Sequence, residues 1–578
     1  MRGLKYPILV AAVLAACHRP SEPPAPVMVF PTEWPHAPSV EPTSGKNGIV
    51  VSDAAMASQV GAEILRRGGN AVDAAVATGF ALAVVYPEAG NLGGGGFTVV
   101  RMADGREAAL DYRETAPAAA SRDMFANDTT NPRKSVVGPL ASGVPGSVAG
   151  LTALQLKFGS MPLRLVMAPA IRLAEDGFFA DSQLAASLKK HQALIARFAG
   201  AAVFLPKGKA LVEGVLVRQP ALARTLRAIS DSGASAFYTG SVSRELASDL
   251  AATGSLITAA DLAAYKPEWR EPIRGTYRGH VLLTMPPPSS GATMIEILNI
   301  IEGFDPLPAF GTAKRVHLLV SAMQRAFTDR NALIGDPAFV KVPVDHLLDK
   351  SYAAKLRAGI GAVATPSKSL AQPSSAGSNT TPYAVIDKDG NAVATTTTIN
   401  DLYGSGVYLP NAGFFMNDEM DDFAARPGQA NLYDLVQGEQ NAVAPSKRML
   451  SSMLPTIVLD RAGRAMMAVA GRGGPRIVSG VTQTIVNVID HRMTIADAIS
   501  APRVHHQALP DTIRFERDGL NPGVIQELRQ MGYAVEPWGT GAAVSPDGNL
   551  GSVNGILRVG NRFTGFSDPR AGGKPAVP

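Results

Sequence analysis

The sequence contains very little cysteine and little charge. Cys17 is the single cysteine among 578 residues, so no disulfide can form within the chain. Charged residues make up 18%, and the net charge is +5. A charge so dilute, without a block of lysines and arginines, excludes the basic stripe of a nucleic-acid-binding protein. The apolar share of 46% is typical of a globular protein with a substantial core.

The sequence also lacks long apolar runs, and the one at the N-terminus is short. Arg2 and Lys5 precede the apolar stretch Pro7 to Ala16, which is too short to span a bilayer and is typical of an export signal. Leu14-Ala15-Ala16-Cys17 resembles a bacterial lipobox, in which the cysteine is lipidated and becomes the first mature residue. An ordinary secretory signal that contains a cysteine is the alternative. Residues 18–45 contain many prolines and no periodicity.

We therefore expect a lipoprotein signal peptide over residues 1–16 and a proline-rich tether over residues 17–47. The expected location is the periplasm of a bacterial cell envelope, with a lipid anchor on Cys17 as the only contact with the membrane. No further membrane-spanning segment and no internal repeat are expected.

A threonine-rich hairpin starts abruptly at residue 380. Residues 364–379 are too polar to pack, whereas Thr380 to Ile386 is typical of a strand. Asp387 to Gly390 forms a turn, and Asn391 to Asn400 forms the returning strand. A hydroxyl residue thus lies where a loop meets a sheet, a place where a chain can cleave itself. The new α-amine, with an ordinary pKa of about 7.7 to 8, would serve as the base for the hydroxyl of the same Thr380. A plain hairpin after a plain loop is the alternative, and the hairpin alone favours it.

The remaining chain alternates helical and strand patterns. Helices are expected at 54–67, 71–85, 163–174, 221–231, 293–303, 313–330 and 476–490, and strands at 97–101, 108–112, 277–285, 405–416, 453–460 and 465–470. Runs of strands flanked by runs of helices predict stacked sheets covered by helices, an α+β fold.

Three patterns suggest a cofactor, a serine nucleophile or a metal site, but each lacks the spacing that such a site requires. Gly93 to Gly96 lacks the G-x-G-x-x-G spacing of a dinucleotide site. Ser405 lies between glycines but not in a G-x-S-x-G elbow. His505 and His506 are adjacent, so they would point to opposite faces of a strand and could not share a metal. We expect no metal and no cofactor.

Four polar clusters are suited to acyl transfer from a substrate with an amino-acid head group. Arg113, in Leu110 to Pro117, can grip a carboxylate, and the acidic run Asn417 to Asp422 can hold an ammonium. Ser451-Ser452 offers paired hydroxyls, and Gly471 to Arg476 leaves backbone N–H groups open for an oxyanion. Each has an ordinary alternative: an ion pair for Arg113, a solvated or calcium-binding acidic run, a polar strand start and a glycine turn.

Taken together, the motifs of this sequence resemble those of a known protein family. From about Gly48 to Arg570 the chain is similar to γ-glutamyltranspeptidases of the N-terminal-nucleophile hydrolase superfamily. The resemblance rests on Gly69-Asn70-Ala71-Val72-Asp73-Ala74-Ala75, the run Asp111 to Pro117, Gly143-Val144-Pro145-Gly146, Pro286-Pro287-Pro288-Ser289-Ser290-Gly291, Met420-Asp421-Asp422-Phe423, Leu450-Ser451-Ser452-Met453 and Ser567-Asp568-Pro569-Arg570.

The resemblance implies an αββα four-layer sandwich formed by two subunits from one precursor. Autoproteolysis of Asn379-Thr380 would separate a large subunit, 48–379, from a small subunit, 380–578, and the two would form a heterodimer. The implied activity is transfer of a γ-glutamyl group from glutathione or related compounds, through an ester on Thr380, to water or to an amino acid or peptide.

The resemblance also implies roles for individual residues. Thr380 is the nucleophile, Thr398 holds it, and Gly473 and Gly474 form the oxyanion hole. Asn400, Glu419 and Asp422 bind the α-amine of the γ-glutamyl group, and Arg113, Ser451 and Ser452 bind its α-carboxylate. The segment Pro427 to Gly438, with Tyr433, resembles a lid.

The sequence departs from the family at three positions. Pro382 stands where many members carry His, and Asp434 and Gln437 stand where the lid often has Gly. Other hypotheses are an acylase of the glutaryl or cephalosporin type, a polyglutamate transferase, or an inactive envelope lipoprotein of the same fold. The three amine-binding residues argue against glutaryl substrates, which have no α-amine.

Overall fold

The computed structural model describes the greater part of the chain. The described residues are 30–36, 41–90, 92–126, 131, 133–198, 201–370, 380–424, 435, 437–539 and 548–578. Among them, no helix combines the length and the apolar character needed to cross a lipid bilayer.

The strands occur mainly in two groups, near the start of the chain and after residue 380. They are β1 (Thr43–Gly45), β2 (Gly48–Ser52), β3 (Gly95–Arg101), β4 (Glu107–Asp111), β5 (Phe178–Phe179), β6 (Leu216–Val217), β7 (Glu268–Arg270), β8 (Ile273–Tyr277), β9 (His280–Thr284), β10 (Thr381–Asp387), β11 (Ala392–Thr398), β12 (Tyr408–Leu409), β13 (Phe414–Phe415), β14 (Thr456–Leu459), β15 (Ala465–Arg472), β16 (Val504–His505), β17 (Thr512–Phe515), β18 (Ala534–Pro537), β19 (Ser552–Val559) and β20 (Arg562–Phe566).

The helices fill most of the region between the two groups of strands. They are α1 (Ala55–Arg66), α2 (Ala71–Val85), α3 (Ser147–Phe158), α4 (Leu163–Glu175), α5 (Ser182–Ile195), α6 (Pro220–Ser232), α7 (Ala234–Tyr238), α8 (Ser241–Thr253), α9 (Ala259–Ala264), α10 (Gly291–Glu302), α11 (Ala313–Leu333), α12 (Val344–Leu348), α13 (Lys350–Ala358), α14 (Arg476–Ile489), α15 (Ile495–Ser500) and α16 (Pro522–Gln530).

Two large antiparallel sheets form the centre. One has the order β2-β10-β11-β3-β4-β7, and the other has the order β1-β20-β19-β15-β14-β9-β8. Each sheet combines strands from before residue 380 with strands from after it. The two parts of the chain are therefore joined by strand pairing in both sheets, for example β10 with β2 and β14 with β9.

Alternating side chains of β10 enter two different cores. Tyr383 and Val385 pack in a core with helices α1 and α2. Ala384 and Ile386 pack in a second core with β14, β15 and helices α10, α11 and α14. Because successive side chains of a strand point to opposite faces, β10 is buried on both sides. The layers run helix, sheet, sheet, helix, and the predicted αββα sandwich is confirmed.

Two expected strands are different in the structure. The segment 277–285 is not one strand, because β8 turns into β9 at Arg278 and Gly279, both with positive φ (49° and 79°). In 405–416 only the two-residue strands β12 and β13 form. Gly406 and Gly413 in that segment have φ of 78° and 88°, so the backbone turns there instead of extending.

Candidate functional site

Thr380 and Thr398 lie side by side at the open end of the hairpin. The β10–β11 register pairs Thr381 with Thr397, which places Thr380 opposite Thr398. Thr380 is 3% exposed, and both threonines line one cavity. Pairing of β10 with β2 begins only at Tyr383, so Pro382, which has no N–H, lies beyond that ladder.

A buried polar network fixes the backbone directly after Thr380. Asp53 accepts a hydrogen bond from the Thr381 hydroxyl (3.2 Å) and one from the Asn554 amide (2.9 Å). The same Asn554 amide donates to the carbonyl of Pro382 at 3.0 Å. Burial raises the pKa of Asp53 to about 6, although Arg472 and the two donors oppose the rise. The first strand residues after Thr380 are thus held by a side chain from the far end of the chain.

Arg113 is the centre of a buried ionic cluster. Its side chain is 1% exposed and forms an ion pair with Glu419 at 2.5 Å. It also pairs with Asp422, and Glu114 lies 3.5 Å from the same guanidinium. The carbonyl oxygen of Arg113 accepts a hydrogen bond from Tyr265 at 2.9 Å. One guanidinium therefore faces three carboxylates.

Burial in this cluster raises the pKa of each carboxyl group. The pKa is raised to about 8 for Glu114 and Glu419 and to about 7 for Asp422, and in all three the Arg113 charge opposes the rise. The cluster is short of positive charge once all three acids ionise. A ligand with an ammonium group would supply that charge, and its carboxylate could share Arg113.

Asn400 joins this cluster to the threonine pair. Its backbone has a φ of 76° and its N–H donates to the Thr398 hydroxyl at 2.7 Å. Its side-chain amide donates to the carbonyl of Asp418 at 3.0 Å. The Asn417 side chain in turn bonds the backbones of Gly93 and Gly143. The acidic run is therefore anchored to the end of β11 and to the loop before β3.

Ser451 and Ser452 also line the cavity, on the segment before β14. The N–H of Ser451 donates to the carbonyl of Pro288 at 2.7 Å, and its carbonyl accepts from Ser290 at 2.7 Å. The Ser452 hydroxyl accepts a hydrogen bond from Arg330 at 2.9 Å. The proline-rich loop after β9 thus supports Ser451, and helix α11 supports Ser452 through Arg330.

Gly473 and Gly474 connect β15 to helix α14. Pairing of β15 with β19 ends at Arg472, so both glycines lie beyond the ladder. Gly473 has a φ of 119°, and a Cβ there would lie 2.7 Å from the Cα of Gly551. Only glycine fits this turn, and Gly474 lines the cavity beside Thr380.

One cavity collects nearly all of the expected site residues. Its lining residues are Arg113, Thr380, Thr398, Asn400, Glu419, Asp422, Ser451, Ser452, Met453, Gly474 and Ile477. Gly473 is next to this lining but is not part of it. Cys17, Asn379, Tyr433 and Asp434 lie outside the described residues. Gln437 is buried, and its side chain accepts from Asn441.

Sequence reasoning missed several residues of the site. Glu114 and Asp418 stand inside the motifs, but the sequence predicts no role for them, and burial beside the other acids is what makes them part of the site. The sequence gives no role to Asp53, Arg330 or Asn554 either. These three residues lie in no recognised motif, and a sequence offers no sign of which polar residues will meet in space.

Comparisons with known proteins agree with this geometry. The family model described as Gamma-glutamyltranspeptidase matches residues 57–577. The "Glutathione hydrolase proenzyme" of Escherichia coli (strain K12) is 42% identical over 97% of this chain and 98% of its own length. A solved chain of Helicobacter pylori gamma-glutamyltranspeptidase is 41% identical, with a TM-score of 0.55, over 58% of this chain and 97% of its own. A cephalosporin acylase from Bacillus halodurans is 28% identical, with a TM-score of 0.82, over 95% of this chain and 99% of its own.

Proposed function

This chain belongs to the γ-glutamyltranspeptidase family, and from that premise we propose that it is a γ-glutamyl transferase and hydrolase. The substrate class is glutathione and related γ-glutamyl amides, and the acceptor is water, an amino acid or a peptide. The observation that carries the proposal is the single cavity in which Thr380 faces the Arg113, Glu419 and Asp422 cluster.

The charges of the cavity match the head group of a γ-glutamyl substrate. Glu419 and Asp422, with Asn400, receive the α-ammonium, while Arg113, Ser451 and Ser452 receive the α-carboxylate. Each charge of the zwitterion thus meets an opposite charge, which favours binding in so dry a site. Binding energy from the head group then orients the γ-amide toward Thr380.

The precursor is proposed to mature by breaking the Asn379–Thr380 bond. The Thr380 hydroxyl attacks the carbonyl of Asn379, the peptide nitrogen leaves as the new α-amine, and water hydrolyses the resulting ester. The two products are the proposed large subunit, 48–379, and small subunit, 380–578. They would stay together as a heterodimer because both sheets contain strands from each of them.

Acyl transfer then uses the same hydroxyl. The α-amine of Thr380 takes the hydroxyl proton as the oxygen attacks the γ-carbonyl, and the N–H groups of Gly473 and Gly474 stabilise the oxyanion. The proton passes to the leaving amine, and a γ-glutamyl ester of Thr380 remains. Water or an acceptor amine attacks this ester and gives a proton to the α-amine, which passes it to the departing Thr380 oxygen and so restores the hydroxyl.

An acylase that prefers glutaryl side chains is less compatible with the cavity. A glutaryl group carries no ammonium, so Glu419 and Asp422 would face it without a positive partner. A γ-glutamyl anilide should therefore be hydrolysed far faster than the glutaryl anilide, and the reverse preference would favour the acylase assignment.

The location is a separate part of the proposal. The lipobox-like sequence before Cys17 supports export and lipidation in a bacterial envelope. Cys17→Ser should release the mature protein from the membrane fraction without changing its specific activity, as judged by fractionation and mass spectrometry of the N-terminus. Membrane association that survives this substitution would contradict the lipid anchor.

The central test is Thr380→Ala. This variant should remain a single chain on a denaturing gel and should not hydrolyse a γ-glutamyl anilide, because both steps need the hydroxyl. Thr396→Ala, in the same hairpin but outside the cavity, is the matched control and should mature. Cleavage or full activity in Thr380→Ala would overturn the proposal.

A further inference from the structure

Arg330 is a buried arginine that the proposed reaction does not yet use. It lies near the end of helix α11 and is 1% exposed. None of the ion pairs formed by the described residues includes it; instead its guanidinium donates to Ser290 (2.8 Å), Asn331 (3.0 Å) and Ser452 (2.9 Å). All three of these acceptors are neutral. A cation buried among neutral groups is unusual and is costly to maintain.

The guanidinium determines which way the two serine hydroxyls donate. Arginine has only donors, so Ser290 and Ser452 must accept from it. The Ser290 proton is then directed to the carbonyl of Ser451, which accepts at 2.7 Å. The Ser452 proton is likewise left for a different acceptor, and Ser452 lines the cavity. Arg330 therefore holds Ser452 as a hydrogen-bond donor toward the ligand.

The charge of Arg330 also favours a negative ligand group at Ser452. Asp422 is the acid that interacts with it electrostatically, and Asp422 is already paired with Arg113. The positive potential of Arg330 consequently remains at the Ser451-Ser452 end of the cavity. Low polarity around a buried group strengthens such a potential.

We propose that Arg330 is a positioning residue that makes the cavity select substrates with a free α-carboxylate. It acts through Ser452 and through its own charge, and it does not touch the substrate. This inference rests on the proposed function. A carboxylate only accepts hydrogen bonds and is negative, so it satisfies both effects. An α-carboxamide is neutral, so it gains nothing from the charge, and only one of its two terminal groups, the carbonyl oxygen, can accept a hydrogen bond from Ser452.

The test compares γ-glutamyl p-nitroanilide with its α-carboxamide analogue. Arg330→Gln should lower the ratio of the two kcat/KM values by about tenfold or more, mainly by raising KM for the carboxylate substrate. Arg325→Gln is the matched control, because Arg325 is a buried arginine of the same helix that donates to the backbone of Ser321 and Gly359. It should leave the ratio unchanged.

A double substitution tests whether Ser452 carries the effect. Ser452→Ala should also lower the ratio. Arg330→Gln should then lower the ratio by a smaller factor in the Ser452→Ala background than in the wild-type background. A ratio within about twofold of the wild type in matured Arg330→Gln overturns the inference. If Arg330→Gln does not mature, an undiminished ratio in Ser452→Ala overturns it.

These outcomes are distinct from failure of the proposed function. A wild-type protein that releases nitroaniline from neither substrate would overturn the proposed function and this inference together. A wild-type protein that is active and selective, with an unchanged ratio in Arg330→Gln, overturns the inference alone.

Discussion

Arg113 and Glu419 form an ion pair of 2.5 Å in which neither side chain is more than 1% exposed. The two residues are about 300 positions apart in the sequence and meet in the wall of the cavity that contains Thr380. A charge pair buried this deeply gains from the attraction but loses the hydration of both groups. Its position beside Thr380, the proposed nucleophile, is the basis of the following predictions.

Arg113→Lys should lower kcat/KM for a γ-glutamyl anilide by about 10²-fold. A lysine provides one nitrogen, which cannot contact Glu419 and Asp422 as two guanidinium nitrogens do, and truncating one member of a buried pair commonly costs a few kcal/mol. Steady-state kinetics of the matured variant measures the loss. Arg122→Lys, at a partly exposed ion pair with Glu439, is the control and should behave as the wild type. Equal kinetics for the two variants would contradict the role of Arg113.

The affinity for an amine-bearing ligand should depend on pH. The raised pKa values of Glu419 and Asp422, about 8 and about 7, mean that both acids gain their charge as the pH rises through 7 to 8. The negative form attracts the ammonium of glutamate and repels glutarate. The ratio of the glutarate to the glutamate dissociation constant should therefore increase with pH, by up to about tenfold per unit for each group that ionises.

Calorimetric titration of the matured enzyme at pH 5.5 to 8.5 measures this ratio. The α-amine of Thr380 titrates in the same range, but its charge acts on both ligands and largely cancels in the ratio. A ratio that stays constant over this range would show that the two acids do not receive the ammonium.

Gly473→Ala should reduce kcat by about 10²-fold and also destabilise the protein. The φ of 119° is unfavourable for alanine, and the added Cβ would lie 2.7 Å from the Cα of Gly551, so the backbone that carries the oxyanion donors has to move. Gly523→Ala is the control, because a Cβ at Gly523 meets no atom within 4 Å and its helix α16 favours alanine. Thermal melting curves measure the stability of the two variants, and steady-state kinetics measures their kcat. Normal kcat in Gly473→Ala would exclude this turn from the oxyanion site.

Asn554→Ala should slow the cleavage of the precursor. The substitution leaves the Asp53 carboxylate and the Pro382 carbonyl without their shared donor, and an unsatisfied buried acceptor costs about 1–3 kcal/mol. The strand end after Thr380 is then held less firmly. A time course of subunit formation on denaturing gels reports the effect. Cleavage at the wild-type rate would show that this network has no part in maturation.

Local patterns predicted the elements that are regular over many residues. The bounds expected for α2, residues 71–85, are those observed, and those for α4 and α14 differ by one residue at the C-terminal end. The expected strand 405–416 failed because three glycines, two of them beside Ser405, let a strand-like composition turn instead of extending. The expected strand 277–285 is wrong because Arg278 and Gly279 adopt positive φ and form a tight turn between two strands.

The sequence by itself determined the hairpin at Thr380, the short motifs of the site and the helices and strands with a clear periodicity. These properties depend on neighbouring residues, since backbone preference and side-chain periodicity are local. Only the tertiary structure decided which polar residues share the cavity. Arg113 faces Glu419, Arg330 supports Ser452, and Asn554 holds the strand after Thr380, because sheet pairing and burial bring distant segments together and change the charge of the groups that they enclose.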